Sequence, residues 1–387
     1  MSVVDPAGAR LPYARLSGYY FFYFAFVGIA SPYFGQYLKS LGFSAWELAV
    51  LLSQMQLMRV LAPMAWGWAA DRGFIPRLSV IRLAAWGSLA GIGSFFLVDG
   101  FWGWALAIAA MAFFWSAALP LFEGVTFDHI RHAGGDYSRI RLWGSIGFIL
   151  TVQAAGWLLD RLPMRSIPWM LLAAAFGILV FAMLASDPRA TPVAAEKGSL
   201  RAAMAQSRVR ALLAGAFAMA FAHGALYLFY SIYLAGHGYS QTLIGALWSI
   251  GVIAEIVVFM HVGPVLRRYG VRTVLLACFV AGTVRFALIA GGVDSLALLV
   301  VAQLMHALTF GAFHAACIDA VNHWFTGGCQ ARGQALYSSL SFGLGGLLGG
   351  LLAGAIWEPA GGAAAFLVSA GAAAAGGLIV WRGLPPR

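Results

Sequence analysis

Two groups of side chains put charge inside apolar runs of this sequence. The first is Glu123, Arg141 and Phe148. Glu123 sits near the end of one long apolar run, a short basic loop follows, and Arg141 opens the next run. Phe148 lies seven residues further on. That is two helical turns, so it shares a helix face with Arg141. Arg141 can bind a carboxylate through two parallel hydrogen bonds. The second group is Glu255, Arg285 and His306. Glu255 lies mid-run, with Trp248 and Gly251 on its own face. Desolvation and a nearby arginine pull a carboxyl's proton affinity in opposite directions. A group balanced between them can load and release a proton. Charge at membrane depth is costly, which makes both groups candidates for function.

Each candidate also has a plainer reading. Glu123 and Arg141 suit substrate binding or an ion pair at the loop edge. Glu255 suits proton transfer or a permanent pair with Arg285. Arg59, in the middle of its run, suits an anion contact or a structural pair. His306 and His314 share a broad helix face and suit cavity lining or a hydrogen-bonded core, and Asp319 projects on a different face. His223, Tyr227 and Tyr230 form one stripe at helical spacing, and Tyr19, Tyr23 and Phe26 form another. Such stripes pack cores or line binding cavities. Substrate contacts are therefore expected from Tyr23, His223 and Tyr227 as well.

Placing these groups requires long apolar elements. The 387 residues are 61% hydrophobic and 10% charged, with a mean hydropathy of +0.83. Soluble domains carry about 25% charged residues, so lipid is the simpler solvent. A helix spans the hydrocarbon in about 20 residues. Twelve runs qualify: Tyr13–Tyr37, Trp46–Ala69, Leu78–Val98, Trp102–Phe127, Ile140–Leu159, Ile167–Ala185, Val209–Ala235, Gln241–Val262, Thr273–Gly292, Leu296–Phe325, Gln334–Trp357 and Ala363–Val380. With the N-terminus inside, the cytoplasmic segments hold 19 of the 24 Lys and Arg residues. The opposite side holds Lys39, Arg161 and Arg165, and Arg59 and Arg285 lie within runs. This asymmetry places both termini in the cytoplasm. It also explains the net charge of +10 without nucleic acid, because the charge is spread through short loops. The first apolar run is too long for a cleaved signal, so a retained first span is expected.

The chemistry of an enzyme is missing. Cys278, Cys317 and Cys329 have neither disulfide nor metal spacing. There is no phosphate-binding loop and no nucleophile with a base nearby. No metal or cofactor is expected beyond the proton gradient.

The longest polar segment, 187–207, separates an expected N-terminal six-helix bundle, 1–186, from a C-terminal one, 208–387. The halves echo each other. Gly67 through Arg72 ends span two, and Gly263 through Arg268 ends span eight at an offset of 196. At that offset Arg59 falls on Glu255. Parallel repeats of this kind place substrate at the bilayer midplane. The fold class expected is an all-α membrane protein of twelve transmembrane helices in two pseudo-symmetric bundles.

The segment G-W-A-A-D-R-G-F-I-P-R, Gly67–Arg77, resembles the loop 2–3 signature of the major facilitator superfamily. That resemblance implies a cytoplasmic gate latched by Gly67, Asp71 and Arg72. The second copy lacks the Asp. Within the superfamily, Arg59 to Asp71, R-L-W-G-S-I-G-F (Arg141 to Phe148), L-W-S-I-G-V-I-A-E (Leu247 to Glu255) and the run with His306 and His314 resemble one branch. It contains the 3-phenylpropionate permease group, lactose permease and nucleoside–proton symporters. Similarity to lactose permease implies substrate binding at Glu123 and Arg141, stacking at Phe148, and proton coupling at Glu255, Arg285 and His306. Thr309 stands where that permease has its proton-carrying Glu, so no role carries over there.

The resulting expectation is a secondary active transporter. It would take up a small organic solute with protons, an aromatic or other monocarboxylic acid first among them, across a bacterial inner membrane. It would act as a monomer with substrate, protons and lipid as its partners. Symport of nucleosides or oligosaccharides, export of a drug or metabolite, and a membrane sensor with a transporter fold are the alternatives.

Overall fold

Membrane helices tolerate Gly and Pro because neighbouring helices satisfy the freed backbone groups. This chain uses glycine to divide its longest helices. In the computed structural model, which describes residues 11–71, 76–186, 199–325 and 329–385, there is no strand among the described residues. Eight helices there are long and apolar enough to cross a membrane alone. Two of them, Gln241–Gly291 and Gln330–Gly383, are double length at 51 and 54 residues. Each turns at one glycine in the left-handed region, Gly270 (φ 78°) and Gly361 (φ 83°). Only glycine adopts that conformation without steric cost, so each helix folds as two spans. A continuous helical segment over 13–40 and the helix Ala45–Asp71 complete the twelve spans read from the sequence.

In chain order the spans are α1 (13–40), α2 (Ala45–Asp71), α3 (Arg77–Phe96), α4 (Gly100–Ala133), α5 (Tyr137–Leu159) and α6 (Met164–Leu184). Then follow α7 (Ser207–Gly236), α8 (241–269), α9 (271–291), α10 (Leu296–Trp324), α11 (330–360) and α12 (362–383). Of the expected linker, 187–198 lies outside the described residues, and Leu200–Ala205 forms a short helix.

The chain packs as two compact units. The first comprises Met1–Ile29, Leu61–Thr151 and Ile167–Ala194. The second comprises Ala30–Val60, Val152–Ser166 and Ala195–Arg387. In the first, α3 packs on α4 and α6, and α1 packs on α6. Gly91 makes the α3–α4 approach possible, since a Cβ there would stand 2.7 Å from the Met111 Cα. In the second, α7 packs on α11 and α12, and α10 packs on the α8–α9 pair. Gly345 lies so close to α7 that a Cβ would stand 2.7 Å from the Phe217 carbonyl oxygen. Small residues are the usual means of close helix approach in lipid, where apolar side chains gain nothing by leaving one apolar surface for another. Large apolar side chains point outward, with Leu106 75% and Met260 74% exposed. In water such residues would be a liability; in lipid they are at home.

Candidate functional site

Each unit carries one of the two charged groups. In the first unit, Arg141 lies on the first turns of α5, and its guanidinium stands 3.9 Å above the Phe24 ring and 5.9 Å from the Tyr20 ring centroid. Glu123 and Tyr137 also lie within its electrostatic reach. A glycine one turn on permits this pose: a Cβ at Gly144 would stand 2.6 Å from the Arg141 Nη1 and 2.7 Å from the Phe24 ring. Cation–π contact of this kind is worth about 0.5–1 kcal/mol at half-exposed positions. It leaves the guanidinium edge, with its five N–H donors, open to an acceptor.

Glu123, on α4, makes no ion pair with Arg141. Its carboxylate accepts a hydrogen bond of 3.1 Å from the Tyr137 hydroxyl. Tyr137 in turn stacks on Phe127 with centroids 4.7 Å apart. Phe148 is buried further along α5. Tyr23 stacks on Trp115 at 4.8 Å, and Tyr19 on Phe122 at 3.6 Å. The span-one stripe is thus largely core, while the neighbouring face, Tyr20 and Phe24, holds the arginine.

In the second unit, Arg285 of α9 is fully buried. Its guanidinium donates to uncharged partners: the Thr309 hydroxyl at 2.9 Å, the His223 Nε2 at 3.2 Å and, at 3.5 Å, the Gln303 side-chain carbonyl. The His223 tautomer follows from its other bond. Its Nδ1 lies 2.8 Å from the Met219 carbonyl and donates there, which leaves Nε2 free to accept from the arginine. The permanent Glu255–Arg285 pair considered from the sequence is not what forms. Glu255 instead meets His306, with Oε1 and Nε2 2.6 Å apart and both side chains nearly buried. The His306 Nδ1, the Arg285 Nε and the Gln303 Nε2 are buried without a partner among the described residues. Glu255 also faces Gly311 on α10.

The backbone of α10 helps build this arrangement. His306 is followed by a π-helical stretch, Ala307–Ala312. Such bulges shift the register of side chains and concentrate at functional sites. This one begins directly after His306 and carries Thr309. Tyr227 stacks on Trp248 at 6.2 Å and lies 5.9 Å from His223. Trp248 is itself anchored by a 3.0 Å bond to Ser231.

Two other candidates border the second network: His314 stacks on Phe310, which stacks on His306, and lies within electrostatic reach of Glu255, and Arg59 lies within electrostatic reach of Tyr227. Arg59 is exposed and reaches Gln56 at 3.2 Å. His314 bonds the Tyr337 hydroxyl at 3.0 Å. Asp319 pairs with His323 at 3.5 Å near the end of α10. Of the gate residues, Gly67 and Asp71 are helical at the end of α2. Their side chains, and Arg72 entirely, lie outside the described residues.

Sequence reasoning did not select Tyr20, Phe24 and Tyr137 in the first unit, or Gln303 and Thr309 in the second, as working residues. A signal existed for Thr309. A hydroxyl at the position of a relative's carboxylate keeps a hydrogen-bond acceptor while removing the charge. For Phe24 the signal was its i, i+4 spacing from Tyr20.

The comparisons with known proteins agree with this architecture. The model of the MFS_1 like family matches residues 13–368. The "Probable 3-phenylpropionic acid transporter" of Escherichia coli is 28% identical over 334 residues, 84% of this chain and 86% of that one. The maltose permease of Geobacillus stearothermophilus is 27% identical over 279 residues, 68% of this chain and 67% of that one. Among solved structures, a point mutant of the nucleoside transporter NupG superimposes with a TM-score of 0.86 at 20% identity, covering 96% of this chain and 100% of that one.

Proposed function

The chain belongs to the MFS_1 like family, and from that premise we propose that it is a proton-coupled symporter for a small organic acid, with an aromatic monocarboxylate as the best match. That it is a membrane transporter, and not an enzyme, follows from the family and its relatives. The proposal adds the substrate class and the coupling.

The observation that carries it is Arg141. Its guanidinium has a ring face beneath it, and Glu123, which attracts it through space, makes no ion pair with it. An aryl carboxylate matches both parts, because the carboxylate takes the guanidinium edge in a bidentate bond and the aryl group packs against Tyr20 and Phe24. Glu123 is kept off the arginine by Tyr137, so the substrate anion does not have to displace it. Coupling is assigned to Glu255 with His306. A carboxylate whose partner is an imidazole, not a permanently charged arginine, can give up its ion pair by moving one proton. Arg285 is the positioning group, fixed by His223, Thr309 and Gln303. Phe148, Tyr23 and Tyr227 supply apolar wall.

The same reading places the protein in a bacterial inner membrane as a monomer, with both termini cytoplasmic and the chain halves 1–186 and 208–387 as the moving bodies. A nucleoside or oligosaccharide is the second substrate reading. It is favoured by the Gln303 amide and Tyr230 hydroxyl, buried polar groups that lie against each other and are of the kind that meet sugar hydroxyls.

The test is uptake into proteoliposomes under an inward proton gradient, with labelled 3-phenylpropionate, uridine and maltose side by side. Accumulation of the aryl acid that collapses with a protonophore is the expected result. Accumulation of uridine or maltose alone would transfer the assignment to the second reading. Uptake that ignores the protonophore would remove the coupling.

A further inference from the structure

The two units handle the arginines at the span ends differently. In the first unit Asp128 of α4, nearly fully buried, accepts from Arg77 at 2.7 Å and from Arg131 at 3.2 Å. A fixed carboxylate thus closes that cluster. The second unit differs at the segment that repeats Gly67 through Arg72. At the offset of 196 that relates the halves, Asp71 falls on Arg267 and Arg72 on Arg268. A base stands where the first copy has its acid.

A cavity of about 950 Å³ opens at that point of the second unit. Its wall takes Arg208 from the first turn of α7, Arg267 from the end of α8 and Arg272 from the start of α9, with Asp319, His323 and Trp324 from the end of α10. The Arg208 guanidinium lies 5.2 Å above the Trp324 ring, and its Nε donates to the Gln206 side-chain carbonyl at 3.0 Å. Arg272 donates from Nη2 to the Trp381 carbonyl at 2.9 Å. Its Nε is buried without a partner among the described residues. Asp319 is the one carboxylate among the described lining residues, and His323 takes it at 3.5 Å. Three guanidinium groups around one cavity repel each other, and an anion among them removes that cost.

The backbone adds to the site. Gly270 turns the chain at φ 78°, and the first residues of α9, Val271 to Thr273, line the cavity directly after it. The first turn of a helix leaves N–H groups without helical partners and favours negative charge. The positive-inside bias accounts for arginines on this side of the membrane. It does not account for three of them, one with a buried open N–H, around a single cavity.

Guanidinium forks match phosphate oxygens in pairs. The cavity also lies among rings that suit the membrane interface. Trp381, whose carbonyl holds Arg272, is 55% exposed, and Tyr269 on the wall is 50% exposed. Such rings sit at headgroup level, and basic pockets between spans on the cytoplasmic side take anionic headgroups. We propose that this cavity binds a phosphate-bearing anion through Arg208, Arg267 and Arg272, and that the headgroup of an anionic phospholipid supplies it. The site rests on the membrane placement of the chain, and on neither the substrate nor the proton.

The test uses the full chain, purified and delipidated in a neutral detergent. Its melting temperature is followed during titration with dioleoylphosphatidylglycerol, with dioleoylphosphatidylcholine and, separately, with inorganic pyrophosphate. Phosphatidylglycerol should raise the melting temperature to a plateau that phosphatidylcholine does not reach. Arg267→Gln and Arg272→Gln should each raise the half-saturating concentration by roughly fivefold, the worth of one basic residue near an anionic headgroup. Arg139→Gln removes the same charge from an exposed site in the first unit and should leave that concentration at the parent value. Should Arg272→Gln fail to fold for want of its bond to Trp381, Arg208→Gln and Arg267→Gln decide the matter. A plateau reached with pyrophosphate and weakened by the same variants supports the phosphate site and gives it a soluble source. No response to either anion overturns the site. So does an equal response to phosphatidylcholine, or half-saturation that Arg139→Gln shifts as far as Arg267→Gln, since net charge alone then suffices. None of these readouts involves uptake, so loss of the site and loss of the transport reading are told apart.

Discussion

Arg141 and Arg285 are both arginines within spans, and the protein treats them in opposite ways. Arg285 is fully buried and tied to three uncharged side chains, and no bound anion is needed to satisfy its main donors. Arg141 is half-exposed and rests on ring faces that satisfy none of its N–H groups. The carboxylates differ to match. Glu123 is held by a phenol, Glu255 by an imidazole. A guanidinium on aromatic rings is ready for a partner that comes and goes. One set in a neutral cage is a fixed charge, and its effect on neighbours is steady. In the proposed function, binding falls to the first unit's arginine and positioning to the second's.

The assignment breaks first, and by the largest effect, at Arg285. Alanine there strands the His223 Nε2, the Thr309 hydroxyl and the Gln303 carbonyl. Each buried polar group left unpaired costs about 1–3 kcal/mol. We expect a drop of several kcal/mol, read as a sharply lower melting temperature in detergent, and no transport. Lysine should rescue little, because one ammonium cannot reproduce the planar fork. A melting temperature unchanged by Arg285→Ala would show the cage to be dispensable. Next is Glu255→Gln, which keeps a hydrogen bond to His306 and loses the titration. The melt should shift by less than about 1 kcal/mol. Proton-driven accumulation should vanish while substrate exchange at equal pH persists. Intact accumulation would move the proton elsewhere.

The third expected effect is at Arg141, where the comparison predicts the reverse balance. Removing it costs only the ring contact, about 0.5–1 kcal/mol of stability. Binding should suffer more, because the proposed bidentate guanidinium–carboxylate bond is lost. A thermal-shift titration with 3-phenylpropionate should show affinity falling by roughly tenfold or more, as loss of a charge-assisted bond implies. Equal loss of stability in Arg141→Ala and Arg285→Ala would erase the distinction between the two arginines.

The spans were legible because lipid leaves few choices. Twelve apolar runs are helices, since no other open structure satisfies the backbone there. What periodicity does not show is that one span follows another with only the turn at Gly270 or Gly361 between them; a tight glycine turn shortens a loop without changing composition. The charged residues were legible too, being rare and expensive in such a chain. Their partners were less so. For Glu255 the sequence leaves proton transfer and a permanent pair with Arg285 both open. The pairing that forms depends on where a π-turn after His306 rotates α10, and no simple spacing rule encodes that. The cage of Arg141 depended on Gly144, whose role is visible only once Phe24 is seen to occupy the space a side chain would need. The bond that the Gln241 N–H donates to the Asp160 carboxylate joins residues 81 apart in sequence, which helical periodicity does not connect.

The finest cut through the comparison is Tyr137→Phe. The substitution removes one hydroxyl and leaves the ring stacked on Phe127. A single hydrogen bond to a carboxylate contributes about 1.5–3 kcal/mol, and less where water can replace it. Glu123 is half-buried, so the loss should fall at the low end of that range. The consequence is one of competition. Freed from the phenol, the Glu123 carboxylate gains a reason to turn toward Arg141 and occupy the guanidinium edge. An aryl acid would then have to displace it. The affinity for 3-phenylpropionate should fall by a few-fold, and adding Glu123→Gln to Tyr137→Phe should restore it, because a neutral amide competes poorly for the arginine. If the double variant binds no better than Tyr137→Phe alone, then Tyr137 acts by contact with the substrate and not by restraining Glu123. The first unit's arginine would then owe its availability to the Phe24 and Tyr20 rings alone.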